Sequence, residues 1–227
     1  MFARAIKLTG VLFLACGIAL GAFLAYEIVW TNNESAQIQQ IERDGALQEW
    51  STNTTTPFGD SVSAPMRKGD VFALMYIPRL RSEVWGTPIL EGTDAEQLSG
   101  GIGHYLLTSQ PGEVGNFATF GHRTTHGQPY AHVELLQPGD QIFVRTEKNW
   151  FVYTLIVDAI VEPTDVWVMR SSALKNARVK DSFSNRIITL ITCTPRHSTK
   201  QRWVWWGALK AVYPHGTPPP SLAQPKP

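Results

Sequence analysis

The sequence predicts a mainly β domain, folded as a barrel or a sandwich, behind one N-terminal transmembrane helix. Three observations support this prediction. Short runs rich in Val, Ile, Thr and aromatic residues, separated by turn signals, fill residues 69–213. Helical periodicity is rare there, and a long uncharged apolar run stands near the N-terminus. The 227 residues, 43% hydrophobic and 17% charged, can form one domain with a buried core and short appendages.

Residues 8–30 are predicted to form a transmembrane signal anchor. The run from Leu8 to Tyr26 is uncharged, and its extension to Trp30 admits one acidic residue. These roughly 23 residues are long enough to cross a hydrocarbon core about 30 Å thick. Tyr26 and Trp30 suit the membrane–water interface, where amphipathic rings are enriched.

The charges around this segment predict its orientation. Arg4 and Lys7 precede it, so residues 1–7 are expected in the cytoplasm and everything after Trp30 outside. A cleaved signal peptide is the first alternative, but the apolar residues continue to Trp30 without a good cleavage site. A lipoprotein acylated at Cys16 is the second alternative, and it would leave an apolar stub at its new N-terminus.

Polar segments flank the predicted β domain. Residues 31–68 are interpreted as an extracytoplasmic spacer. Within it, Ser35–Trp50 has helical spacing that is weakened at Gly45, and Ser51–Pro65 is rich in Ser, Thr and Pro. Residues 214–227 form a Pro-rich tail that is predicted to be disordered, because repeated prolines cannot pair into a sheet.

The elements of the β domain follow from its apolar runs and the residues between them. Two short helical segments are predicted, Asp94–Leu98 capped by Thr93 and Ser172–Ala177. Seven strands are predicted: Val71–Ile77, Glu83–Leu90, Asn116–Gly121, Gln141–Arg145, Trp150–Val161, Ile187–Cys193 and Arg202–Val212. Strands at this short, regular spacing are typical of a barrel or a sandwich.

Composition excludes several classes of function. Twenty basic residues against nineteen acidic ones leave a net charge of +1, which is too small a positive excess for a nucleic-acid binder. Two cysteines cannot build a disulfide framework or a cysteine-based zinc site. His104 and His122 stand far apart without further ligands at metal-binding spacing, so no metal and no cofactor are predicted.

Cys193 is the first candidate for chemistry. In an exported domain it is a lone thiol in an oxidising space, either a buried small hydrophobe or a reactive nucleophile. It ends the strand Ile187–Cys193, and an eight-residue loop leads to the strand that begins at Arg202. As antiparallel neighbours the two residues would meet at one end of the sheet. A guanidinium there favours thiolate and can stabilise a developing oxyanion.

A nucleophilic thiol needs an acid–base partner, which is most often histidine. Six histidines are available. His122 ranks first because it ends the strand Asn116–Gly121, where a strand opens into a loop. His104 and His126 rank next, and His197 is expected at the surface.

Three motifs resemble those of sortases, the membrane-anchored cysteine transpeptidases of Gram-positive bacteria. The segment Thr189–Pro195 (TLITCTP) is similar to the TLxTCxP signature, and Gly121-His122-Arg123 resembles the histidine motif of the family. Arg202 stands at the family's arginine position. The resemblance extends from Gly69 to Val212 and is greatest to class E sortases of actinobacteria.

The resemblance implies an eight-stranded β-barrel and a two-step transpeptidation. Cys193 would attack the Thr–Gly bond of a C-terminal sorting signal similar to LPxTG, or to LAxTG in class E. His122 would protonate the leaving amine, Arg202 would orient the pentapeptide and stabilise the oxyanion, and Thr192 would help to bind the substrate there. An amine on a cell-wall precursor similar to lipid II would then resolve the thioacyl enzyme, linking the secreted protein to the wall.

Two departures from the family pattern fall outside the candidate site. Leu106-Leu107 stands where the family often has Pro-Gly, and His126 stands where tyrosine is frequent; both bear on the substrate groove. Three alternatives stay open. They are a pilus-polymerising sortase, a cysteine peptidase or L,D-transpeptidase, and a non-catalytic barrel that binds sorting signals or wall polymers. The second would have its cysteine in a His-Gly-Cys context, whereas Thr192 precedes Cys193 here.

Overall fold

The computed structural model describes residues 2–52, 66–177 and 184–223. Within these ranges the eight strands are β1 (Val71–Tyr76), β2 (Trp85–Glu91), β3 (Ile102–His104), β4 (Gly115–Phe120), β5 (Gln141–Thr146), β6 (Asn149–Val161), β7 (Arg186–Thr194) and β8 (Gln201–Pro214). The α-helices in the same ranges are α1 (Phe2–Thr52), α2 (Ala95–Gly100), α3 (Ala173–Asn176) and α4 (Pro220–Ala223). Short 3-10 helices cover Pro78–Leu80, Val133–Leu135 and Val166–Met169.

The strands close into a barrel in the order β1-β2-β3-β4-β7-β8-β6-β5. Neighbouring strands are antiparallel, except that β2 pairs parallel with β3 and β4 pairs parallel with β7. Because β8 runs antiparallel to β7, the C-terminal ends of β4 and β7 lie beside the N-terminal end of β8. The predicted mainly β fold is confirmed, and it is a barrel rather than a sandwich.

The sequence predicts all but one of the strands in the described residues. All seven predicted strands are present, with ends that differ by at most two residues. The apolar pattern does not predict β3, because this strand has three residues and one of them is Gly103. A Cβ on Gly103 would lie 2.5 Å from the carbonyl oxygen of Gly92. The position therefore requires close backbone packing rather than a residue with high β propensity.

Helix α1 is longer than predicted. The sequence indicates a separate short helix over Ser35–Trp50, weakened at Gly45, whereas α1 runs through this segment without a break. Its C-terminal part packs on the barrel, where Ala46 and Trp50 are buried with Leu74 of β1. This tertiary packing outweighs the roughly 1 kcal/mol that a glycine costs inside a helix.

The first part of α1 has a different surface. Leu8, Phe13 and Leu20 are 71%, 79% and 60% exposed, respectively. Among the described residues, α1 is the one helix that is long and apolar enough to cross a membrane. Residues 53–65, which contain most of the predicted spacer segment Ser51–Pro65, lie outside the described residues.

Alternation along the strands separates two faces of the barrel wall. On β7, Ile188 and Leu190 belong to the interior core, whereas Ile187 and Ile191 pack in a second cluster with Trp206. Val168 of a 3-10 helix and Ala173 and Leu174 of α3 belong to this second cluster. Odd-numbered residues of β7 therefore point to the outer face, which these short helices cover in part.

The described part of the Pro-rich tail contacts the barrel. His215 donates its backbone N–H to the Lys148 carbonyl at 2.9 Å and accepts a hydrogen bond from Trp150 Nε1 at 3.1 Å. Leu222 of α4 packs against the buried cluster of Phe143 and Trp150. The prolines end the sheet, as expected, but the segment still covers apolar side chains.

Candidate active site

The predicted thiol and guanidinium lie directly opposite each other. Cys193 of β7 and Arg202 of β8 are cross-strand partners. In an antiparallel pair the Cα atoms of such partners are about 5 Å apart, and their side chains project from the same face. Cys193 projects on the same side of β7 as Ile191, and Arg202 projects on the same side of β8 as Trp206. Both residues therefore belong to the outer face of the wall.

His122 is held beside the thiol by the parallel pairing of β4 and β7. Phe120 pairs with Ile191, and Gly121 donates its N–H to the Ile191 carbonyl at 3.1 Å. His122 is the next residue and lies level with Thr192 and Cys193. By strand alternation it projects to the same outer side as Phe120. The structure thus brings the three predicted residues to one end and one face of the barrel.

The Thr192 side chain is used inside the fold. It is 3% exposed, and its hydroxyl donates to the Gly121 carbonyl at 2.7 Å. This hydrogen bond fixes the end of β4 to the end of β7, and hence the spacing of His122 and Cys193. Because the Thr192 hydroxyl is already bonded, Thr192 would contact a substrate through its backbone.

The Arg202 guanidinium is turned toward the β7–β8 loop. Its Nη1 donates to the carbonyl oxygens of Thr199 at 2.9 Å and Gln201 at 3.1 Å. Cys193 itself is half-buried and free. The guanidinium is therefore held by backbone carbonyl groups at the start of β8 and in the loop before it.

The electrostatic environment of His122 favours its neutral form. Burial lowers the pKa of His122 below its ordinary value of 6.5, and the charge of His126 lowers it further. The two imidazole rings are 5.0 Å apart between centroids. A histidine with a lowered pKa gives up its proton readily, which suits a donor to a leaving amine.

Arg123 is a functional candidate that reasoning from the sequence missed. It is 6% exposed, and its Nη1 donates to the Thr194 hydroxyl at 2.7 Å and to the Cys193 carbonyl at 3.4 Å. Its Nη2 donates to Glu134 at 3.0 Å, and the guanidinium lies 5.1 Å from the centre of the Trp203 ring. Arg123 thus fastens the thiol-bearing end of β7 to the loop that carries His122. Its place in the Gly-His-Arg motif was the available signal.

The other histidines have separate environments. His104 is fully buried, with Nδ1 3.0 Å from each carboxylate oxygen of Glu91. His132 pairs with Glu83 at 2.8 Å. His197 is exposed in the β7–β8 loop, as predicted. Of the lower-ranked candidates, only His126 lies beside His122.

An open cleft of about 920 Å³ lies beside the N-terminal end of β4. Gly115 and Asn116 of β4, Tyr105, and Met169 and Arg170 are among its lining residues. The Asn116 amide donates to the Val168 and Arg170 carbonyls at 3.1 and 3.2 Å, which fixes the far wall. Tyr105 links the cleft to the thiol end, because its ring lies 6.1 Å from that of Phe120.

A metal-dependent arrangement is not found in this region. Within residues 2–52, 66–177 and 184–223, no group of three or more His, Cys, Asp or Glu side chains is placed to hold a metal ion.

A closed eight-stranded barrel with a thiol, an imidazole and a guanidinium at one end is the architecture of a cysteine transpeptidase. The Sortase domain family model matches residues 75–210, and the chain belongs to the sortase family.

Known sortases share both sequence and fold with this chain. Sortase SrtE1 of Streptomyces coelicolor is 34% identical over 209 residues, which is 88% of this chain and 56% of that protein. The structure of sortase E from Streptomyces avermitilis is 34% identical, with a TM-score of 0.62 over 70% of this chain and 99% of that one. Sortase E1 from Streptomyces coelicolor, solved with a tripeptide in its active site, is 33% identical, with a TM-score of 0.61 over 67% and 96%. The predicted similarity to class E sortases is confirmed.

Proposed function

We propose that this protein is a membrane-anchored sortase that cleaves the Thr–Gly bond of a C-terminal sorting signal of the LPxTG or LAxTG type and joins the secreted protein to a cell-wall amine. The observation that carries this proposal is the cross-strand pair of Cys193 and Arg202 with His122 at the adjacent strand end. The acceptor is an amine on a cell-wall precursor similar to lipid II.

The first half-reaction forms a thioacyl enzyme. The Cys193 thiolate attacks the threonine carbonyl carbon and forms a tetrahedral intermediate whose oxyanion is stabilised by Arg202. The intermediate collapses, the C–N bond breaks, and the His122 imidazolium gives its proton to the departing glycine amine. Neutral His122 and a thioester at Cys193 remain.

The second half-reaction reverses these roles. The acceptor amine attacks the thioester carbonyl, and His122 takes a proton from the amine as the new amide bond forms. The C–S bond breaks, and Cys193 leaves as thiolate. The enzyme returns to its starting protonation state, so no cofactor is needed to balance the reaction.

The active protonation state is a minor one. With ordinary pKa values of about 8.5 for cysteine and 6.5 for histidine, thiolate and imidazolium coexist in roughly 1% of molecules at pH 7. The lowered pKa of His122 reduces this fraction further. The kcat/KM profile is expected to be bell-shaped, with its acidic limb set by His122 and below pH 6.5.

The cleft beside β4 supplies a binding site for the sorting peptide. Five extended residues span roughly 16 Å, and six-residue β4 spans roughly 20 Å. With the scissile threonine at Cys193, the preceding residues would extend along the wall past Tyr105 toward Met169. Exposed Leu107 and Val114 at the rim suit the apolar start of an LAxTG or LPxTG signal.

The membrane arrangement is part of the proposal. Residues 1–7 lie in the cytoplasm, 8–30 cross the membrane, and the catalytic domain 69–213 is extracytoplasmic, with 31–68 connecting the two and 214–227 as a tail. The apolar first part of α1 supports the spanning segment.

The test is cleavage of fluorogenic LAxTG and LPxTG peptides by the full chain, combined with mass spectrometry of the trapped enzyme. Wild type should cleave at least one peptide and carry the acyl mass on Cys193, and Cys193→Ala should do neither. His197→Ala, which changes an exposed histidine in the β7–β8 loop, should match wild type. Wild type that binds such peptides without cleaving them would indicate the non-catalytic alternative.

A further inference from the structure

The part of α1 that follows the predicted membrane span contacts the loop after His122. The Asn32 side-chain oxygen accepts a hydrogen bond from the Gly127 backbone N–H at 3.1 Å. One helical turn further on, Ser35 is 2% exposed. The Gln39 amide is also close to Gly127, since a Cβ on this glycine would collide with it. One face of α1 therefore closes over the tip of this loop.

The loop tip is held in an unusual backbone conformation. His126, Gly127 and Gln128 have φ values of 55°, 72° and 36°. Non-glycine residues adopt left-handed φ values only where their surroundings enforce them. The base of the loop is secured by the Tyr130 N–H, which donates to the His122 carbonyl at 3.0 Å. At the tip, the Gly127 N–H has Asn32 of α1 as its partner.

This conformation sets the distance between two imidazoles. With His126 in the left-handed region, its ring lies 5.0 Å from that of His122. If the loop left this conformation, the His126 ring would move away from His122 and the His122 ring would be more exposed to solvent. Contact at the tip of the loop therefore bears directly on the residue proposed to transfer the proton.

We propose that Asn32 is a positioning residue for the transpeptidation: the juxtamembrane turn of α1 holds the His122 loop in its working conformation, so the membrane anchor completes the active site. This inference rests on the proposed function of His122. Asn32 follows Trp30, the predicted end of the span, by about 3 Å along the helix axis. The histidine loop thus lies at the membrane surface, and docking of α1 couples membrane insertion to an ordered active site.

The charges around His122 define the expected pH effect. His126 and Arg123 lie on its own loop, Cys193 lies on the neighbouring strand β7, and Arg202 lies on β8 with its guanidinium turned toward the β7–β8 loop. The α1 residues that contact the loop tip, Asn32, Ser35 and Gln39, are uncharged. Loss of the Asn32 contact should therefore act on His122 through the loop: less burial and a more distant His126 both raise its pKa toward the ordinary value.

The experiment compares Asn32→Ala with Asn33→Ala in the full chain reconstituted in lipid nanodiscs. Asn33 is exposed on the next position of the same helix and serves as the matched control. Asn32→Ala should lower kcat/KM roughly tenfold, because misplacement of a catalytic group by about 1 Å can cost about 10²-fold and a loosened loop shifts His122 by less. The acidic limb of its pH profile should move to higher pH. Asn33→Ala should leave both unchanged.

Two further measurements separate the possible outcomes. NMR titration of the His122 ring needs no substrate, and Asn32→Ala should raise its pKa while the barrel melting temperature stays at the wild-type value. Wild-type kinetics and titration for Asn32→Ala, or a lower rate without movement of the acidic limb, would overturn this inference. An inactive wild type, or an active His122→Ala variant, would instead count against the proposed function.

Discussion

Two histidines at or just after the ends of neighbouring strands, His104 and His122, have opposite environments. His104 ends β3, points into the barrel and is fully buried. Its Nδ1 contacts both oxygens of Glu91 at 3.0 Å, its Nε2 lies 3.0 Å from the Thr108 hydroxyl, and the Phe117 ring packs 5.1 Å away. His122 follows β4, projects from the outer face and is only half-buried.

The partners of each ring explain the difference. A carboxylate fixes the His104 ring in a closed network, which is how a fold uses a buried polar residue without leaving it unsatisfied. The neighbours of His122 are another imidazole and a thiol, and its pKa is lowered by burial and by His126. His104 is therefore part of a buried structural network, whereas His122 has no carboxylate partner within the described residues, and each of the following changes tests that distinction.

The largest expected effect is on catalysis, at His122. His122→Gln should lower kcat/KM for a sorting peptide roughly 10³-fold, because it removes general acid–base catalysis. The free energy of unfolding should change by less than about 0.5 kcal/mol, since the ring is half-exposed. Peptide-cleavage kinetics and urea unfolding of the same preparation measure the two effects. A His122→Gln enzyme with more than a tenth of wild-type activity would contradict the assignment.

The opposite pattern is expected at the His104 network. Glu91→Ala leaves the buried imidazole without its carboxylate and should lower the free energy of unfolding by about 3 kcal/mol. The activity of the remaining folded enzyme should stay near wild type. Urea unfolding checks the first expectation, and active-site titration of Cys193 corrects the activity for folded protein. Glu96→Ala, which removes an exposed carboxylate in α2, is the control and should have little effect on either.

Arg123 belongs to the environment of His122, and two of its acceptors, the Cys193 carbonyl and the Thr194 hydroxyl, lie on the thiol strand. Arg123→Ala should lower kcat/KM roughly 10²-fold, because the end of β7 is no longer fixed to the His122 loop. Arg123→Lys keeps the charge but cannot bond Thr194 and Glu134 together, so it should recover little of the loss. Arg196, exposed and 4.0 Å from the same Glu134, provides the comparison. If Arg196→Ala proves as harmful as Arg123→Ala, the loss reflects Glu134 rather than Cys193.

Local patterns in the sequence were sufficient to predict most of the strands and the three candidate catalytic residues. Alternating apolar residues marked seven strands, and the chain order of those strands placed Cys193 and Arg202 at one sheet end before any fold was known. The motifs then singled out His122 among six histidines. These features depend on periodicity and on residue type, both of which are visible in a single chain.

The features that were missed depend on contacts distant in the chain. Asn32 meets Gly127 across 95 positions, and Arg123 meets Thr194 across 71. Asn32 has the local pattern of an ordinary surface asparagine, and the signal for Arg123 was its place in the Gly-His-Arg motif. Strand β3 was missed for a related reason, since Gly103 is required by the backbone of Gly92 rather than by β propensity.

The smallest expected effect concerns the second imidazole of the site. His126→Asn removes the positive charge near His122 and keeps a residue that tolerates the left-handed conformation. Burial, the larger cause, still lowers the pKa of His122, so its pKa should rise only part of the way toward 6.5. The acidic limb of kcat/KM should move slightly to higher pH, with less than about a twofold change at neutral pH.

The same shift gives a stability effect of defined sign. Because the pKa of His122 is lower in the folded than in the unfolded state, the unfolded chain binds more protons on acidification. The contribution of His122 to stability is thus complete above pH 6.5 and is lost as the pH falls through its folded pKa. His126→Asn should flatten the decline in the urea midpoint between about pH 7 and about pH 5. A decline as steep as in wild type would show that the charge of His126 does not act on His122.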